Sequence, residues 1–139
     1  MNDTASQAAI EFGAHAVTDI TGFGLAGHSY EMAEASGVIL EIHLNQLPLL
    51  PGALEIAKKG NLTRANATNL AHIEKSLIAD DDADLHGVRA GFLFDPQTSG
   101  GLLIAVDEAA VDSVTNATKG TVIGQVTKAK AGIRLRIRL

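Results

Sequence analysis

The sequence predicts an α+β domain in which helices and strands interleave along one chain. Segments with apolar residues at alternate positions indicate strands, and segments with helical spacing of apolar residues, closed by glycine, indicate helices. Several of the predicted strands are expected to be antiparallel neighbours. The length of 139 residues suits one domain, and the hydrophobic fraction of 46% is enough for one core.

The first half of the chain alternates predicted helices and strands. Glycine favours the left-handed position just after a helix, which Gly13 and Gly37 supply. A proline fits the first turn of a helix because its missing N–H does no harm there. The predicted elements are a helix over Asp3–Phe12, a strand over His15–Thr18, a helix over Gly24–Ser36, a strand over Val38–Leu44 and a helix from Pro51 to Gly60.

The second half contains four predicted strands and one predicted helix. Asp107 is a suitable N-cap for this helix, which extends to about Ala117. No helix or strand is predicted for the polar segment Asn61–Asp84. Its acidic run Asp80–Asp84 indicates a solvated loop more than a metal site, because neighbouring carboxylates repel. The predicted strands are Phe92–Phe94, Leu102–Val106, Thr121–Val126 and Ile133–Leu139.

Charge and composition argue against several classes of function. The net charge of −5, from 16 acidic and 11 basic residues, argues against a nucleic-acid partner. No apolar run is long enough to span a membrane, no signal peptide is visible, and the absence of cysteine fits a cytoplasmic location. Arg134, Arg136 and Arg138 alternate with apolar residues, which predicts a half-buried strand at a solvated edge of the sheet.

The segment Thr18–His28, called the glycine corner below, carries the strongest indication of a ligand site. It combines one carboxylate, two hydroxyls and three glycines between a predicted strand and a predicted helix. Glycine lets the backbone approach a ligand closely, and the start of a helix presents free N–H groups to an anion. A carboxylate beside a phosphate is typical of Mg²⁺, which takes few protein ligands. The glycine corner therefore predicts a phosphate-and-magnesium site.

Two other interpretations of the glycine corner stay open at this point. Gly22, Gly24 and Gly27 satisfy the G-x-G-x-x-G pattern of dinucleotide-binding folds, and Glu41 follows where an acid would meet a ribose. Against this, the residues before Gly22 are more polar than a buried Rossmann strand requires. The remaining interpretation is a tight turn and helix packing without any ligand.

A second segment, Asp95–Leu103, places a polar glycine turn between two apolar runs and is called the second glycine segment below. The segments Asp19–Leu25 and Asp95–Leu103 together resemble the C-terminal domain of the selenophosphate synthetase (selenide, water dikinase) family, which carries both motifs in this order. Leu47–Glu55 and Val122–Val126 also look like the family. The resemblance spans residues 2 to 126, nearly the whole chain.

The resemblance implies the fold of the C-terminal domain shared with aminoimidazole ribonucleotide synthetase, a mixed β-sheet with helices packed on its faces. It also implies that residues 1–13 are the tail of an interdomain linking helix, that residues 14–139 form the C-terminal domain, and that an N-terminal ATP-binding domain is missing. The family makes selenophosphate, AMP and phosphate from ATP, selenide and water. The chain alone is therefore expected to be inactive, with no catalytic residue of its own.

The family pattern further implies roles for individual residues. Asp19 would help to hold Mg²⁺ at the phosphates of ATP, whereas a turn-capping role is its structural alternative. Thr18 and Thr21 would either orient Asp19 or satisfy backbone groups. His15 and His28 are expected to be packed or surface histidines, without evident partners in the sequence. The expected nucleotide-binding residues are Thr21, Gly22, Gly24, Thr98, Ser99, Gly100 and Gly101.

One side chain in each of the two glycine segments is expected to have a structural role. Phe23 is expected to anchor the core where the helix begins, and Asp95, held extended by Pro96, is expected to cap the amides that follow it. The region with Thr63 and Arg64 departs from the family pattern, so Arg64 receives no role.

The partners implied by the resemblance are the N-terminal ATP-binding domain, selenide as substrate and a second copy of the chain in a homodimer. Neither a nucleic acid nor a membrane is an expected partner. Two alternatives to this function remain. One is another ATP-dependent enzyme of the same superfamily, in purine biosynthesis or hydrogenase maturation. The other is a non-catalytic binding or dimerisation module.

Overall fold

A computed structural model describes residues 2–139, so Met1, the first residue of the predicted linking helix, lies outside the described residues. The helices are α1 (Asp3–Glu11), α2 (Gly24–Ser36), α3 (Ala53–Lys58), α4 (Ala65–Ile73), α5 (Val88–Phe94) and α6 (Val111–Thr118). The strands are β1 (Ala16–Asp19), β2 (Ile39–His43), β3 (Leu77–Ala79), β4 (Leu102–Ala105), β5 (Gly124–Thr127) and β6 (Leu135–Arg138).

The strands form two sheets. β1 and β4 make a two-stranded antiparallel sheet, and the other strands make a four-stranded sheet in the order β3-β6-β2-β5. In the larger sheet, β6 runs parallel to both β2 and β3, while β5 is antiparallel to β2. The predicted α+β class with a mixed sheet is confirmed.

The core lies between one face of the larger sheet and the helices. Alternate residues of a strand point to one face, so Leu40, Ile42, Leu135 and Ile137 form a continuous apolar surface. Helix α2 packs on this sheet, and α4 and α5 pack against α2. Helix α1 packs on α6 and β4, beside the smaller sheet. Within residues 2–139, every helix is too short or too polar to cross a lipid bilayer.

In the second half of the chain, the structure differs from two predictions about local structure. Phe92–Phe94 is the last turn of α5 and not a strand, and Leu93 and Phe94 are buried against the core. A short apolar run has no period that separates a strand from a buried helix, which explains the error. The unassigned segment Asn61–Asp84 contains α4 and β3.

The predicted edge position of the arginine-rich strand is also wrong, because β6 lies inside the larger sheet. Its outward charges are neutralised by carboxylates on both neighbouring sides. Arg136 and Arg138 contact Asp80, at 2.7 and 3.0 Å, and Arg138 contacts Glu41 at 3.1 Å. Asp80 is therefore an ion-pair partner and not part of a merely solvated loop.

The helix predicted from Asp107 also begins differently. A short 3₁₀ turn, Glu108–Ala110, follows Asp107, and α6 proper starts at Val111. The Asp107 side chain makes no capping hydrogen bond, because its carboxylate contacts His15 Nε2 at 3.0 Å. His15 is thus a surface histidine, as expected.

Candidate phosphate and metal corner

The fold joins the glycine corner to the second glycine segment through the backbone. The Ile20 N–H donates to the Gly101 carbonyl at 3.0 Å, and the Gln97 N–H donates to the Thr21 carbonyl at 3.0 Å. These bonds extend the β1–β4 ladder, in which Asp19 lies opposite Leu102. Two motifs about eighty residues apart in sequence therefore form one surface.

Two glycines permit this close approach. A Cβ on Gly100 would lie 2.0 Å from the Ile20 carbonyl oxygen. Gly24 has a φ of +68°, and a Cβ there would lie 2.8 Å from the Leu93 carbonyl oxygen at the end of α5. Both glycines are thus required by packing of backbone on backbone, whatever ligand the surface binds.

Asn69 of α4 joins the glycine corner to the end of α5, just before the second glycine segment, and the sequence analysis gave it no role. It is only 6% exposed, and its side-chain amide donates to the Gly22 carbonyl at 3.0 Å and to the Phe94 carbonyl at 2.9 Å. A buried amide that satisfies two carbonyls fixes the relative position of the segments that carry them.

The Asp19 carboxylate is exposed at the end of β1 and makes no hydrogen bond or ion pair with residues 2–139. The Thr18 hydroxyl donates to the Asp19 backbone carbonyl at 3.2 Å, so it satisfies the backbone and leaves the carboxylate free. A free carboxylate suits Mg²⁺, which prefers oxygen ligands. Within the described residues, no three His, Cys, Asp or Glu side chains form a group that would hold a metal alone.

Of the other side chains of the glycine corner, His28 is packed, as expected, whereas Phe23 differs from its expected role. The Thr21 hydroxyl lies 3.0 Å from His28 Nε2, and Glu31 Oε2 lies 3.1 Å from His28 Nδ1. His28 is therefore a buried histidine with partners on both ring nitrogens. Phe23 is 47% exposed and stacks on His72, so it is not a core anchor.

The second glycine segment presents its polar side chains to solvent. Thr98 and Ser99 are exposed, and their hydroxyls make no hydrogen bond with residues 2–139. The Asp95 carboxylate does not cap the following amides, because it accepts a hydrogen bond from the Thr63 hydroxyl at 2.8 Å. This contact links the second glycine segment to the start of α4.

The start of α2 at Gly24 has no side-chain cap, so its first amides are not bonded by a side chain. Such a helix start is suited to an anion. The dinucleotide interpretation is wrong, since it requires β1 and β2 to be parallel strands of one sheet, and they lie in different sheets.

Glu41, the acid of that rejected interpretation, is engaged elsewhere. Its side chain is 3% exposed, and one carboxylate oxygen accepts from Gln125 at 2.8 Å and from Arg138 at 3.1 Å, with His43 at 3.3 Å. Burial alone raises the pKa of Glu41, but the hydrogen bonds from Arg138, His43 and Gln125 outweigh burial and the pKa lies below its ordinary value.

Comparison with known proteins now defines the family. Residues 1–136 match the family described as AIR synthase related protein, C-terminal domain, and the chain belongs to this family. The resemblance to selenophosphate synthetases is confirmed by relatives that carry the name selenide, water dikinase.

Three such relatives come from different bacteria. The protein of Caldanaerobacter subterraneus subsp. tengcongensis is 40% identical over 114 residues, which are 82% of this chain and 32% of the relative. That of Clostridioides difficile is 37% identical over 119 residues, 86% of this chain and 34% of the relative. That of Nitratidesulfovibrio vulgaris is 37% identical over 144 residues, 99% of this chain and 41% of the relative. The chain thus spans 32% to 41% of these relatives' lengths.

Proposed function

We propose that this chain is the C-terminal domain of a selenide, water dikinase, which makes selenophosphate, AMP and phosphate from ATP, selenide and water. The observation that carries the proposal is the free Asp19 carboxylate on the surface formed by the two glycine segments. The names of the relatives support the selenium reaction over the purine and hydrogenase alternatives.

The proposed role of the surface is to position the phosphates of ATP. Asp19 would hold Mg²⁺, which supplies positive charge to offset the negative charge of a transferring phosphoryl group. The uncapped start of α2 and the exposed hydroxyls of Thr98 and Ser99 would bind phosphate oxygens. Gly22, Gly24, Gly100 and Gly101 would keep the backbone close to the nucleotide.

The remaining ligands of the nucleotide would come from an N-terminal ATP-binding domain, the partner of this chain. In this proposal residues 1–13 are the tail of the linking helix and residues 14–139 are the C-terminal domain. The intact enzyme would be a cytoplasmic homodimer, and this chain alone would be inactive because one carboxylate cannot hold Mg²⁺.

A chimera tests the proposal. The chain replaces the matching segment of the Nitratidesulfovibrio relative, and selenide-dependent AMP formation from ATP is measured. An active chimera is the expected result, with no activity in the 139-residue chain alone. A folded chimera that lacks activity, or that uses ATP without any dependence on selenide, would contradict the proposed function.

A further inference from the structure

The Thr21 hydroxyl is one end of a chain of hydrogen bonds that passes through the buried His28 ring to the half-exposed Glu31 carboxylate. It lies 3.0 Å from His28 Nε2, and His28 Nδ1 lies 3.1 Å from Glu31 Oε2. His28 is 9% exposed, whereas Thr21 is exposed on the glycine corner. A hydroxyl at the ligand surface is thus held by an imidazole that the solvent hardly reaches.

The donors and acceptors of this chain fix the position of each proton. An ionised carboxylate accepts and never donates, so the proton facing Glu31 is on His28 Nδ1. A neutral imidazole has a single N–H, which leaves Nε2 as an acceptor. Thr21 must then donate its hydroxyl proton to Nε2, and the Thr21 oxygen offers only lone pairs to a ligand.

The His28 ring belongs to a cluster of aromatic side chains beside the glycine corner. The ring centroid of Phe23 lies 5.7 Å from that of His28, and Phe23 in turn stacks on His72 of α4. Tyr30 meets the edge of His72 at 6.0 Å.

Thr21 also lies beside the proposed metal ligand. Asp19 and Thr21 are both exposed, and Ile20 between them is buried. The Ile20 N–H continues the β1–β4 ladder to Gly101, and the alternation of exposed and buried residues is that of an extended segment, in which alternate side chains lie on the same side. Asp19 and Thr21 therefore lie on one side of this segment.

We propose that His28 is a positioning residue that keeps Thr21 as a hydrogen-bond acceptor. Thr21 would then accept a hydrogen bond from a water molecule of the Mg²⁺ that Asp19 would hold, and would not bind a phosphate oxygen, which needs a donor. The part of this inference that concerns the metal rests on the proposed function. The tautomer of His28 is a property of the chain alone and can be measured without metal or ATP.

The tautomer is measured by long-range ¹H–¹⁵N NMR of the imidazoles in the 139-residue chain. The expected result is a His28 ring that carries a single proton, on Nδ1. Thr21→Val is expected to shift the Nε2 resonance and Thr21→Ser to preserve it. The proposal would be overturned by a proton on Nε2, by a doubly protonated ring, or by an Nε2 chemical shift that is the same in Thr21→Val as in the unmodified chain.

The same two variants are compared in the chimera. Thr21→Val is expected to raise the Mg²⁺ concentration for half-maximal activity by about three- to tenfold, the effect of one hydrogen bond, and Thr21→Ser to restore it. At saturating Mg²⁺, the KM for ATP is expected to change by no more than about twofold. A higher KM for ATP with an unchanged Mg²⁺ requirement would show that Thr21 donates to phosphate.

The two proposals fail in different ways. A wild-type chimera without activity contradicts the proposed function, while the NMR measurement on the chain still decides the tautomer. An active chimera with the wrong tautomer contradicts only the role of His28.

Discussion

At the scale of single residues, Asp19 matters because its carboxylate is free among the described residues. Asp19→Asn keeps the size and removes the charge that would offset Mg²⁺. In the chimera we expect turnover to fall on the order of 10²-fold, because phosphoryl-transfer sites depend on such charges. Extra Mg²⁺ should restore part of the activity, which an assay across a Mg²⁺ series would measure.

Asp81→Asn is the matched control for this change, since Asp81 is also exposed and lies in a loop far along the chain. It should leave activity and melting temperature unchanged. Full activity of Asp19→Asn at low Mg²⁺ would refute the metal role. A melting temperature that falls together with activity would instead indicate a structural role for Asp19 at the turn.

Glu41 gives a second prediction at this scale, on stability against pH. Its folded pKa is lowered, because hydrogen bonds from Arg138, His43 and Gln125 outweigh burial, which alone raises it. The stabilisation is therefore complete above the unfolded pKa, about 4.3, and is lost as the pH falls through the lower folded pKa. Glu41→Gln should flatten the decline of unfolding free energy with acid in this window.

The magnitude at neutral pH is modest. Arg138 is nearly half exposed, so water screens its charge, and Glu41→Gln should lower the free energy of unfolding by about 1 kcal/mol. Urea denaturation from pH 7 down to about pH 3 measures both effects. Glu55→Gln, which breaks only an exposed pair with Lys58, serves as the control. An identical acid profile for Glu41→Gln and the unmodified chain would contradict the assignment.

At the scale of elements, the joint between the two glycine segments depends on backbone contact. Gly100→Ala places a Cβ 2.0 Å from the Ile20 carbonyl oxygen, whereas a Cβ on the adjacent Gly101 meets nothing within 4 Å. Gly100→Ala should therefore lower the free energy of unfolding by about 1–3 kcal/mol, as overpacking does. Gly101→Ala should have little effect, and urea denaturation of the pair is the measurement. Equal stability of the two variants would show that the joint is not tight.

The elements also show why sequence reasoning succeeded in some places and failed in others. The glycine corner can be identified as a motif from the sequence because its residues are contiguous and their chemistry is local, and its role as a ligand site stays a prediction. Asn69 was missed because its partners, Gly22 and Phe94, lie 47 and 25 residues away. The interior position of β6 was missed for a related reason, since Asp80 and Glu41, which neutralise its arginines, come from other strands and loops.

At the scale of the whole molecule, the proposed ligand surface would be only one side of a nucleotide site. The matching segment is 32% to 41% of the length of these relatives, and no metal-binding group of three His, Cys, Asp or Glu side chains exists among residues 2–139. In the proposed site the Asp19 carboxylate would act on an ATP phosphate through Mg²⁺ and the exposed hydroxyls would contact it directly, but these groups alone do not surround a nucleotide. The chain alone should therefore bind Mg²⁺-ATP weakly.

We therefore predict that the 139-residue chain binds Mg²⁺-ATP no more tightly than about millimolar, a free energy near −4 kcal/mol. Isothermal calorimetry measures this directly, with the chimera as the comparison. In the chimera the same surface completes a site, so binding should tighten by at least about tenfold, or 1.4 kcal/mol. Micromolar binding by the chain alone would mean that this domain holds the nucleotide without a partner, and the split-site account would then be wrong.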